Sequence, residues 1–153
     1  MTDREEQGEN NIFFVCTLIE YIARKTKNTR KNVVNYLGRE EIAHYFELAD
    51  VYHCENIDKL TAELTLKHRI TAGTFNNETS CRYTPPSYFD IAKVYKRLIV
   101  SVMQYKAVSF IDALMEVYNS WISEKIDDYN SSMYYESPEY VFKSYIAGVP
   151  LRD

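Results

Sequence analysis

The side chains able to do chemistry in this chain are few, and their spacing excludes more than it suggests. His44, His53, Cys54, His68 and Cys81 are the soft or borderline ligands a transition metal would use. None is spaced as a tetrahedral zinc site requires: there is no C-x-x-C, and neighbouring His53 and Cys54 are expected to point to different sides of the backbone. The expectation is therefore no metal and no cofactor. Three cysteines, Cys16, Cys54 and Cys81, form no disulfide framework and read as reduced thiols. Gly8, Gly38, Gly73 and Gly148 lie far apart, which excludes a glycine-rich phosphate cradle. No nucleophile elbow occurs, and the acid pair Asp127-Asp128 falls in a polar inter-helix segment.

One spacing points to a reaction. Arg39-Glu40-Glu41-Ile42-Ala43-His44 fits an R-x4-H pattern and resembles the active-site motif of HEPN-type ribonucleases, small all-helical dimers. That resemblance implies His44 as acid or base and Arg39 as the phosphate-steadying group. An imidazole titrates near neutrality and a guanidinium grips phosphate as a fork, so the chemistry is sound. The pattern departs from the family at Glu40, where a polar amide is usual. Glu40, Glu41 and Glu47 also surround an anionic substrate with negative charge. The competing reading leaves Arg39 and His44 on a solvated helix face, with His44 beside Glu40 at i,i+4.

A basic cluster precedes this motif: Arg24, Lys25, Lys27, Arg30 and Lys31. Residues 31 to 45 also have the outline of helix, glycine turn and helix. A recognition helix there would bring Glu40, Glu41 and Glu47 against phosphate, which repels them. The formal net charge of -4, from 22 acids against 18 bases, adds no bulk attraction to nucleic acid. Nucleic acid is thus not the expected partner, and the 24–31 turn is kept only as an alternative contact for RNA or an acidic protein.

Fourteen tyrosines in 153 residues are an excess. They suit core margins or protein-binding surfaces, because the ring is large and apolar while its tip stays polar. They concentrate, with acids and small polar residues, between 126 and 136. Asp127, Asp128, Tyr129, Met133, Tyr134 and Tyr135 are the expected partner-binding residues.

The elements that would position these groups are helices. The 3.6-residue period predicts an all-α, single-domain bundle of about seven helices over residues 1–153. A buried helix is expected from near Asn11 to Thr26, followed by a short one capped by Thr29 and ended by Gly38. A third runs from Arg39 to Ala49 and a fourth is capped by Asn56, completing an N-terminal helical half of about 11–68. Residues 69–86, with Gly73, Asn76-Asn77 and Pro85-Pro86, are an irregular connection that could hold a short hairpin. The C-terminal half, about 87–148, opens with a capping box at Ser87 and Asp90, and Ser109 repeats the device. The Ser109 helix is expected to run through Trp121 and Ile122, with Ser123 facing away. A last helix has Ser137 as N-cap, Pro138 in its first turn and Gly148 at its end. No run is long and apolar enough to span a bilayer and the N-terminus is acidic, so a cytoplasmic protein without membrane contact is expected.

The first half carries a second likeness. Phe13-Phe14, Ile19-Glu20-Tyr21, Val33-Val34-Asn35-Tyr36-Leu37, Asp50-Val51-Tyr52-His53 and Asn56-Ile57-Asp58 resemble a family of short bacterial helical proteins of unknown function. Its members are often encoded in toxin–antitoxin-like loci, near ADP-ribosyltransferase-like proteins. The likeness supplies no catalytic residue, and it implies the binding of a partner protein, as an antitoxin or accessory component. The expected function is a non-enzymatic protein-interaction module, binding a partner protein or a second copy of itself. The alternatives are a metal-independent ribonuclease or a nucleic-acid-binding protein.

Overall fold

The computed structural model describes the backbone from residue 3 to 151 and side chains from residue 6. The chain is all-α. Eight α-helices and one 3₁₀ turn occur among the described residues, without a strand, so the hairpin allowed for in 69–86 does not form. The helices are α1 (Asp3–Thr26), α2 (Arg30–Glu47), α3 (Ala49–Tyr52), α4 (Ile57–Lys67), α5 (Tyr88–Lys106), α6 (Phe110–Tyr118), α7 (Trp121–Asp127) and α8 (Pro138–Ala147). The 3₁₀ turn is Met133–Tyr135. The chain divides into two compact units, Met1–Asn76 and Asn77–Asp153.

In the first unit α2, α3 and α4 all pack on α1, which buries Ile12, Val15, Cys16, Leu18, Ile19, Ile22 and Ala23. This helix begins at Asp3 rather than near Asn11. Glu6, Gln7 and Glu9 are good helix formers, Gln7 donates to Asn11 Oδ1 at 2.7 Å, and one glycine costs too little to stop the run. Gly38 breaks α2 without ending it: its φ of 80° and ψ of 165° are open to glycine almost alone, and helix resumes at once. The segment after α4 then folds back along the α1–α2 turn. Gly73 N donates to Thr26 O at 2.8 Å and Phe75 N to Lys27 O at 2.9 Å. A Cβ at Gly73 would stand 2.4 Å from Lys27 O, so only glycine fits.

In the second unit α5 is central and packs on α6 and α8. Ile91, Ala92, Tyr95, Leu98, Ile99 and Val102 form its buried face. The Ser87–Asp90 capping box forms in both directions. The helix expected through Trp121 is two helices, because Ser120 adopts an extended backbone and caps α7 by accepting from Ile122 N. That break turns Ser123 inward, to 2% exposure, rather than outward.

Among the described residues no single helix is long and apolar enough to cross a membrane; α5 and α6 meet such a test only as a pair bent by 120°.

Candidate functional site

The first unit carries the Arg39–His44 motif. Both residues are exposed on the second part of α2. Five residues at 100° each place them about 140° apart around the helix. His44 Nε2 lies 3.2 Å from the Tyr52 hydroxyl, and this contact replaces the expected pairing with Glu40. Glu41, expected at the surface, is nearly buried and accepts from Lys67 at 2.7 Å and His68 at 2.8 Å. Burial alone would raise its carboxyl, but the hydrogen bonds from Lys67 and His68 outweigh that and hold it below the usual carboxylate range. Beside it the Tyr45 phenol is pushed up to about 12, by burial first and then by the Glu41 charge. These contacts tie α2 to the end of α4.

The basic cluster divides. Arg30 is 1% exposed: its guanidinium forks onto Glu20, with Nε to Oε1 at 2.8 Å and Nη2 to Oε2, and lies over the Phe75 ring. Arg24 Nε reaches the same carboxylate at 3.1 Å. Burial would raise the Glu20 carboxyl; the charges of Arg30 and Arg24 overcome it and hold it low. Arg30 is thus a core residue that cannot touch RNA, because moving it would strand a buried carboxylate. Lys25, Lys27 and Lys31 stay exposed.

His53 and Cys54 do not diverge as expected. Cys54 Sγ lies 3.6 Å from His53 Nε2, while Nδ1 bonds the Ala49 carbonyl at 2.9 Å. The end of α3 turns sharply enough to bring adjacent side chains together. Among the described residues no group of three potential metal ligands forms.

The second unit redistributes the tyrosine-rich segment. Asp127, Tyr129 and Met133 are at most 4% exposed and belong to the core, contrary to the binding role expected of them. Asp127 is drawn in by Tyr95, whose hydroxyl donates to Oδ1 at 2.7 Å and lies 2.8 Å from Ser123 Oγ. Its carbonyl accepts from Asn77 Nδ2 at 3.0 Å. Asn130 then clasps the chain around 80–82, accepting from Arg82 N at 2.8 Å and donating to Ser80 O at 3.0 Å. Ser131 Oγ donates to Lys125 O at 2.8 Å. Asp128 remains exposed, and its carboxylate accepts from Asn130 N within the turn.

With Met133 as the plug, the 3₁₀ turn holds Tyr134 and Tyr135 at the surface, Tyr134 half-buried and Tyr135 68% exposed. Their rings meet edge to face, and Tyr134 meets Tyr129 likewise. Burial raises the Tyr134 phenol, with Cys81 and Tyr135 adding to it, so its hydroxyl stays protonated and able to donate.

The two rings wall a cleft of about 330 Å³ between α5, the 3₁₀ turn and the start of α8. Val94, Leu98, Pro138 and Val141 supply its apolar lining, and Lys93 and Arg97 stand one helical turn apart on its α5 side. Neither cation is ion-paired among the described residues. The acids at its border are committed locally: Asp90 Oδ2 accepts from Ser87 N in the capping box, and Glu136 Oε2 accepts from Ser132 Oγ at 2.9 Å. Tyrosine and arginine are residue types that recur in protein-binding hot spots. Lys93 and Arg97 went unassigned in the sequence reading, although a cation pair at i,i+4 on the polar side of α5 was visible there. Comparison with family models, with curated proteins and with solved structures finds no match for the chain.

Proposed function

We propose that the chain is a non-enzymatic protein-interaction module that binds its partner through the cleft of Lys93, Arg97, Tyr134 and Tyr135. One observation carries this reading. Two tyrosine rings, next to the buried Asp127–Tyr95 and Met133 anchors, share a cleft with two cations that have no ion partner among the described residues. Rings held in place before binding lose little freedom on association, which is what makes a small surface bind well. The likeness of the first half to proteins of toxin–antitoxin-like loci supports a protein partner, and the antitoxin-like or accessory role is proposed with it. Tagged full-length chain purified from its native cell is expected to bring down a stoichiometric companion, and Tyr135→Ala to lose it. A companion retained equally by Tyr135→Ala would remove the cleft from the interface.

A further inference from the structure

The first unit holds a nucleophile beside a base. Cys54 Sγ lies 3.6 Å from His53 Nε2, and both residues are exposed in the turn that follows α3. A second contact fixes the tautomer of the ring. His53 Nδ1 lies 2.9 Å from the Ala49 carbonyl; a carbonyl only accepts, so Nδ1 carries the proton of the neutral imidazole. Nε2 is left with its lone pair toward the thiol, which donates its S–H to it. A weak nucleophile in reach of a base, with that base oriented by a third group, is the arrangement that activates it.

The other two cysteines are placed differently. Cys16 is 0% exposed, closed to any reagent while the fold holds. Cys81 is half-buried and donates to the Tyr129 carbonyl at 3.9 Å, an acceptor that does not take the proton. The Glu55 carboxylate, next in sequence to Cys54, would oppose a negative sulfur, but it is turned to Lys59 at 3.5 Å.

We propose that Cys54 is a modification site, a thiol that exchanges with low-molecular-weight disulfides with His53 as its base. His53 Nε2 takes the thiol proton as Sγ attacks one sulfur of the disulfide. A bond forms between Cys54 and that sulfur, the original disulfide bond breaks, and the departing thiolate recovers the proton from the imidazolium. The products are a mixed disulfide on Cys54 and one small free thiol, so no further oxidant or reductant enters. None of the residues of the partner cleft takes part.

The test treats the full chain at neutral pH with hydroxyethyl disulfide and quenches samples with acid at intervals. Non-reducing peptide mass mapping then reads the capping of each cysteine. Cys54 is expected to be capped first, and about tenfold or more faster in the folded chain than in urea, because an ordinary thiol is only a few per cent thiolate near neutrality. His53→Gln should bring Cys54 down to its rate in urea, while Cys16 stays protected and reports that the first unit is folded. If His53→Gln exposes Cys16, the comparison of folded and urea-treated parent decides alone. Capping of Cys81 ahead of Cys54, equal Cys54 rates in the folded and unfolded parent, or an unchanged rate in folded His53→Gln overturns the proposal.

Discussion

Removing the Arg30 guanidinium leaves the Glu20 carboxylate buried, with Arg24 still in contact. Breaking a buried pair from one side costs about 3–5 kcal/mol, mostly the desolvation of the stranded charge. Arg30→Met is therefore expected to lower urea-unfolding stability by about 3 kcal/mol, near the lower end of that range because Arg24 remains. The same pair sets an acid limit. Glu20, Glu41 and Glu116 are all held below their ordinary value of 4.5 in the fold, burial being outweighed in each by cations or hydrogen-bond donors. A lowered folded pKa means that the unfolded chain binds more protons as the pH drops. Their stabilising contribution is complete above pH 4.5 and is lost as pH falls through the folded values. A melting temperature measured against pH should fall below that point; one that held constant or rose there would contradict the assignment. Neither Arg30 nor Asp127 was legible as buried, because each is drawn inward by a residue remote in sequence, Glu20 for one and Tyr95 for the other. Local polarity points outward for both, and only tertiary pairing reverses it.

At the scale of the element, what was legible was what is written locally. Thr29, Asn56, Ser87, Ser109 and Ser137 each accept a backbone N–H at a helix start, as their types and positions predict. The break at Ser120 was not legible, because Trp121 and Ile122 continue the apolar stripe of α6 and hide a cap within it. The break at Gly38, with helix on both sides of it, was legible, because its φ of 80° and ψ of 165° interrupt the helix where glycine stands. Helix ends also yield two opposed predictions. Ala107 closes α5 in the left-handed region, at φ 54°, where a Cβ is strained; Ala107→Gly should stabilise by about 1 kcal/mol in urea unfolding. Gly38→Ala meets no atom within 4 Å, yet φ of 80° with ψ of 165° is closed to alanine. It should destabilise by about 1–3 kcal/mol from backbone strain alone. Equal stability of both variants with the parent would show that these conformations are not held.

For the whole molecule, the all-α architecture follows from periodicity, while the candidate site does not. A cleft needs α5, the 3₁₀ turn and α8 together, and only Tyr134 and Tyr135 of the expected surface take part in it. The same folding that buries Asp127, Tyr129 and Met133 holds those two rings in place. The central claim is that this cleft is where a partner docks, and hydroxyl-radical footprinting reads it directly, because tyrosine oxidation reports side-chain exposure. In the free chain Tyr135, Tyr83 and Tyr105, each at least 64% exposed, should all be oxidised. In the complex recovered from the native cell, Tyr135 should be shielded while Tyr105 and Tyr36 keep their rates. Unchanged oxidation of Tyr135, with protection moved to Tyr36 or His44, would contradict the account.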